Sequence, residues 1–138
     1  MEQFSLFLDN HTLLASAFII VTAFIIWDYI DNTKHHINST QAIKLINEQD
    51  AIILDIRAMA DFNQGHIINA VNIPLNSLKK QLNQIQKYKD SPVIVSCKTG
   101  AQASMACKTL KENDFNQVYN LSGGMLSWQN ANMPISQS

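Results

Sequence analysis

Cys97 follows the apolar run "PVIVS", Pro92–Ser96, and opens a short loop, "CKTGAQ", with one glycine, Gly100. Beyond it Ala103, Ala106, Cys107 and Leu110 fall at i, i+3, i+4 and i+7, the apolar stripe of a helix. A cysteine attacks as its thiolate. A working nucleophile here therefore needs surroundings that favour negative charge. Three features could supply them. Cys97 precedes a helix start, where the dipole and unpaired N–H groups favour anions. Lys98 adds a positive charge next door. Gly100 lets the loop turn tightly, so that successive N–H groups converge on one centre. Position alone leaves a quieter reading open, that of a buried cysteine at a strand end. Cys107 lies in the apolar stripe and reads as core.

The elements around the loop say how it is held. Ser39 or Thr40 is placed to cap a helix whose face carries Ala42, Leu45 and Ile46. "AIILDI", Ala51–Ile56, is a short continuous apolar run, the pattern of a strand buried on both faces. "AVNIP", Ala70–Pro74, is a second strand. Leu75, Leu78, Leu82 and Ile85 predict one amphipathic helix. "PVIVS" is a third strand, "QVYNL" a fourth, and "GGMLSWQNA" starts a last short helix. Strands alternating with helices predict an α/β domain, a parallel sheet with helices on both faces. Ligands of such sheets bind at the carboxyl ends of the strands. Cys97, and Asp55 with Arg57, stand at two such ends.

The first third of the chain differs in kind. Residues 1–33 hold four acids and no Lys or Arg, whereas residues 34–138 carry all ten basic residues and a net charge of +3. "LLASAFIIVTAFIIW", Leu13–Trp27, has only Ser16 and Thr22 as polar members. Extended to Ile30 it would span about 27 Å as a helix, at about 1.5 Å per residue, close to a hydrocarbon core of about 30 Å. Trp27 and Tyr29 would lie at headgroup level. Residues 1–12 have no basic residue, and no small-x-small cleavage site follows the run, so a cleaved signal peptide fits poorly. The reading is a single transmembrane helix over about 12–30 within an N-terminal segment 1–30, a polar linker 31–38, and a domain 39–135. Lys34 and Lys44 flank the span on one side and nothing basic on the other. The positive-inside rule then sets the N-terminus outside and the domain in the cytoplasm, a single-pass arrangement in the inner membrane.

Composition excludes several classes. The net charge of −1 over 138 residues gives no footprint for nucleic acid. Two cysteines are too few for a disulfide scaffold and point to a reducing compartment. His35 and His36 sit in a polar stretch with no ligand spacing to either cysteine, so no metal site is expected.

Four stretches in order resemble the signatures of a single-domain rhodanese, the sulfurtransferase family: "LDIR" (Leu54–Arg57), "ADFNQGHIINAVNIP" (Ala60–Pro74), "CKTGAQ" (Cys97–Gln102) and "LSGGMLSW" (Leu121–Trp128). The resemblance covers roughly residues 37–135. It implies that Cys97 is catalytic and accepts a sulfane sulfur as a persulfide. It implies that the loop Lys98, Thr99, Gly100, Ala101 and Gln102 binds substrate, with Asp55, Arg57, Asp61 and His66 in support. Read as residues, those four form an internal ion-pair and hydrogen-bond set. No cofactor is implied. The implied partners are a small sulfur donor or a persulfide-bearing protein. Two positions depart from the family pattern. Gln102 stands where the loop usually ends in arginine, and it offers an N–H without charge or a bidentate fork. Asn69 stands where glycine is usual, and asparagine tolerates left-handed backbone.

The function expected is therefore a membrane-anchored sulfurtransferase, weak with dianionic thiosulfate. The alternative is a catalytically weak rhodanese-like binding module tethered at the membrane. A cysteine phosphatase or similar arsenate reductase would need Cys-x5-Arg. Position 103 is Ala103, and the single arginine of the chain is Arg57.

Overall fold

The computed structural model describes residues 1–137, the side chains of residues 32 and 33 excepted. It divides into two compact units, Met1–Lys34 and the chain from His35 onward.

The first unit is helical: α1 spans Glu2–Asn10 and α2 spans Thr12–Lys34. The sequence reading assigned no element to residues 1–11. Within α2, Thr12–Asp31 is 20 residues with a mean hydropathy of 2.1, and none of its apolar window is buried. Its two mid-helix hydroxyls are satisfied locally. Ser16 Oγ donates to the Leu13 carbonyl at 2.9 Å, and Thr22 Oγ1 to the Phe18 carbonyl at 2.9 Å. Hydroxyls bonded back to their own helix leave no polar group in need of water.

The second unit contains β1 (His36–Ile37), α3 (Ser39–Gln49), β2 (Ile52–Asp55), α4 (Met59–Gln64), β3 (His66–Ile67) and β4 (Val71–Asn72). It continues with α5 (Leu78–Gln81), β5 (Val93–Ser96), α6 (Ala103–Glu112), β6 (Val118–Leu121), α7 (Gly124–Asn130) and β7 (Ile135–Ser136). Five strands form a parallel sheet in the order β1-β6-β5-β2-β4, and β3 pairs with β7 antiparallel on its own. The continuous apolar runs have a simple cause. Ile53 and Ile94 face one core with Ala42, Leu121 and Trp128. Leu54, Val93 and Val95 face the other with Leu78, Ile85 and Leu110. Each fully buried aliphatic side chain stabilises the fold by roughly 1.5–3 kcal/mol.

Register then sets the site. Asp55 pairs with Ser96 across β2 and β5, and Val95 pairs with Asn120 across β5 and β6. Asp55, Cys97 and Asn120 thus gather at the carboxyl ends of the three central strands.

Three local expectations are corrected. The cap of α3 is Asn38, not Ser39 or Thr40. Its side chain accepts the Gln41 N–H while Gln41 accepts the Asn38 N–H, a reciprocal box closed to Ser39 and Thr40 because Ala42 and Ile43 stand three residues beyond them. Leu75–Ile85 is not one helix but a 3-10 turn (Leu75–Ser77), α5, and a 3-10 stretch (Leu82–Tyr88). The pairs 75/78 and 82/85 are spaced by three, which suits three residues per turn as well as it suits 3.6. The stretch 31–38, read as a linker, holds the end of α2 and strand β1. A two-residue strand is too short to leave an apolar pattern.

Candidate active site

Cys97 is buried, 2% exposed, directly after β5. The N–H of Gly100 donates to its Sγ at 2.9 Å. That aim depends on Gly100, whose φ of 91° lies in the region L side chains avoid. An N–H directed at sulfur favours negative charge on it.

The loop is pinned from outside through its carbonyls. The N–H of Met125 donates to the Cys97 carbonyl at 2.8 Å, and that of Leu126 to the Lys98 carbonyl at 3.1 Å. Asn120 Nδ2 donates to the Gly100 carbonyl at 3.3 Å. No described peptide is cis. In a planar trans peptide the N–H points opposite to its C=O. Fixing the carbonyls of Cys97 and Lys98 toward α7 therefore turns the N–H groups of Lys98 and Thr99 the other way. The first turn of α7 gives its otherwise orphaned N–H groups to this task.

The approach of α7 is possible only because of Gly124. Its φ is 54°, and a Cβ there would overlap the carbonyl oxygen of Cys97 and stand 2.9 Å from the Gly100 nitrogen. The Gly-Gly pair read as a tight turn is such a turn, with Gly123 at φ 73°. Its second glycine also makes room for the loop. Sequence reasoning missed Asn120 as a holder of the loop. The available signal was one amide, Asn120, inside the strand "VYNL".

The other nominated residues separate. Asp55 is fully buried and held by the bidentate guanidinium of Arg57, with Nη2 to Oδ2 at 2.7 Å. Arg57 Nη2 also donates to the Gly65 carbonyl at 2.7 Å, and Asn72 Nδ2 to the carbonyls of Asp55 and Arg57. His66 is not part of that pair. It stacks on Phe62 with ring centroids 3.7 Å apart, its Nδ1 2.8 Å from the Phe62 carbonyl. Asp61 is exposed. With Arg57 and Lys98 it lines a hollow of about 320 Å³ beside the loop. Lys98, Thr99, Ala101 and Gln102 point their exposed side chains away from the core. Gln102 lies on a second, wider groove. Cys107 is buried, and burial pushes its thiol up from 9.0 to about 12, against a smaller opposing pull from Lys111. Among the described residues no cluster of three or more His, Cys, Asp or Glu could hold a metal.

The sequence pattern of the rhodanese-like domain matches residues 38–131. The chain belongs to the rhodanese family. An uncharacterised protein from Buchnera aphidicola subsp. Acyrthosiphon pisum is 35% identical to this rhodanese over 98% of the chain and 96% of its own length. A sulfurtransferase from Allochromatium vinosum is 32% identical over 67% of the chain and 84% of its own length. Among solved structures, the rhodanese-related protein of Thermoplasma volcanium superposes with a TM-score of 0.68 at 24% identity. That match covers 75% of this chain and 99% of the other. The α/β rhodanese fold read from the sequence is the fold observed.

Proposed function

We propose that this rhodanese is a membrane-anchored sulfurtransferase working through a persulfide on Cys97. The observation that carries the reading is the Gly100 N–H aimed at Cys97 Sγ from a loop whose carbonyls are tied back. Similarity to a named sulfurtransferase supports it. In the first step the Cys97 thiolate attacks the outer sulfur of a persulfide donor, R–S–SH. A new S–S bond forms, the donor S–S bond breaks, and the electron pair leaves on R–S⁻. Cys97 then carries –S–SH. In the second step an acceptor thiolate attacks that outer sulfur and takes it as a persulfide, and the pair returns to Cys97 Sγ. The two steps are nucleophilic covalent catalysis with no net oxidation. The N–H groups of the loop hold the charged sulfur.

Gln102 in place of a cation shapes the donor range. Thiosulfate is a dianion and gains most from a charged fork. A thiol or protein persulfide carries less charge and loses less. The length and apolar character of Thr12–Asp31 support the anchor, and Lys34 and Lys44 on one flank with no basic residue on the other support a cytoplasmic domain.

The test uses the full chain in non-ionic detergent, reduced and then mixed with cysteine persulfide or thiosulfate. Intact mass is recorded before and after cyanide, with Cys97→Ser as control. One added sulfur on Cys97, released as thiocyanate, is the expected result. No loading from either donor in folded protein overturns the enzyme reading and leaves a tethered binding module.

A further inference from the structure

Gln102 is one wall of an open groove of about 1250 Å³, larger than the roughly 300–1,000 Å³ of ordinary small-molecule sites. A small persulfide or thiosulfate would leave most of it empty. The groove is lined by α5 with the turn before it, and by the outer face of α6. That face is set by helical spacing. Met105, Lys108, Thr109 and Glu112 fall at i, i+3, i+4 and i+7, opposite the buried stripe of Ala103, Ala106, Cys107 and Leu110. Lys79 and Lys80 add two more exposed cations. Three lysines thus line the groove against one acid, Glu112. Met59 and Met105 lie on it with 65% and 66% of their surface exposed. Methionine is unbranched and polarizable, and it adapts to differing apolar partners.

We infer that this groove docks an acidic protein segment bearing an apolar side chain, next to the cysteine that gives sulfur to Cys97 or takes it away. The inference rests on the sulfurtransferase reading for the cysteine and on the groove alone for the docking. Charge chooses the sign of the partner, and the two methionines receive its apolar residue. Gln102 connects the groove to the loop, so a docked segment brings its cysteine to the Cys97 side. A concave surface with exposed methionines fits a side-chain-bearing segment better than the flat face of an anionic bilayer.

Two synthetic twelve-residue peptides test it, both with one central cysteine and one leucine. One is flanked by glutamates and the other by glutamines. As fluorescent thiols they are titrated onto the full chain in non-ionic detergent. As persulfides they are used to load Cys97, followed by intact mass. The acidic peptide is expected to bind and to load at least about tenfold better at low salt, with the advantage gone in 0.5 M salt. Charge reversal at Lys79, Lys80 and Lys108 to Glu should abolish the acidic-to-neutral ratio. Reversal of Lys87 and Lys89, outside the groove, should keep it. Both rates come from one preparation, so a loss of folded protein cancels in the ratio. Equal binding of the two peptides, or a ratio that survives reversal in the groove, overturns the inference. Lysine-dependent binding of phosphatidylglycerol vesicles without binding of the acidic peptide overturns it in favour of a lipid surface. Selective binding without any loading keeps the groove and sinks only the transfer chemistry.

Discussion

The carbonyl oxygen of Cys97 accepts the N–H of Met125 at 2.8 Å, and the backbone of Gly124 lies against the loop to allow it. Any side chain at 124 must displace one partner or the other. Gly124→Ala adds a positive-φ penalty to that overlap. The expected loss is at least about 2 kcal/mol in denaturant unfolding. Surviving folded protein should load Cys97 at least about tenfold more slowly. Unchanged unfolding and loading would show that the loop does not depend on this contact.

Gln102→Arg restores a charged donor at the end of the loop. A charge-assisted hydrogen bond exceeds a neutral one by roughly 1 kcal/mol or more. The ratio of thiosulfate to cysteine persulfide loading should therefore rise at least about fivefold. A ratio that stays put would remove Gln102 from donor choice.

Arg57→Ala strands a carboxylate. Asp55 is only 1% exposed in its side chain and Arg57 11%, so the remaining charge has little water to turn to. The expected cost is about 3–5 kcal/mol. Arg57→Ala combined with Asp55→Leu should recover part of it, because the uncompensated charge is then gone. Chemical denaturation of the three proteins checks both statements.

Cys107 gives a stability change with pH. Its thiol ionises near 9.0 in the unfolded chain but near 12 when folded, because burial penalises the thiolate. Above pH 9 the unfolded state sheds a proton that the folded state keeps. Stability is therefore flat below that point and falls between about pH 9 and 12, by up to about 1.4 kcal/mol per pH unit from this group. Unfolding midpoints of the chain and of Cys107→Ala, taken at pH 8 and pH 10, should diverge in slope, with the variant flatter. Parallel slopes would remove Cys107 from the pH response.

The proposed anchoring is tested in native membranes. The chain should resist extraction by alkaline carbonate and yield to detergent. A protease should cut the domain in inside-out vesicles and spare it in right-side-out ones. The reverse pattern would turn the topology over.

Legibility in the sequence followed burial. β2 and β5 were readable because strands covered on both faces leave apolar runs, and β6 was readable despite Asn120 because Val118 and Leu121 frame it. The stripe of α6 was readable because one face is core. β1, β3 and β7 were not, since two residues carry no period. The segment 75–88 misled because spacing by three satisfies two kinds of helix. In the loop, Cys97 and Gly100 stood out by type. The tethering by Met125 and Leu126 did not, because main-chain donors are the same for every residue. Only Gly124 and Asn120 mark it, one by lacking a Cβ and the other by being polar in a buried strand.

The group that donates to the sulfur of Cys97 is a main-chain amide, that of Gly100, and every non-proline amino acid supplies an amide. The side chains of Lys98, Thr99, Ala101 and Gln102 face solvent instead. On the proposed sulfur-transfer reading, substitutions at those four positions redraw which donors are welcome while the scaffold of the reaction stays as it was. Selectivity and chemistry would then be separately heritable within one loop.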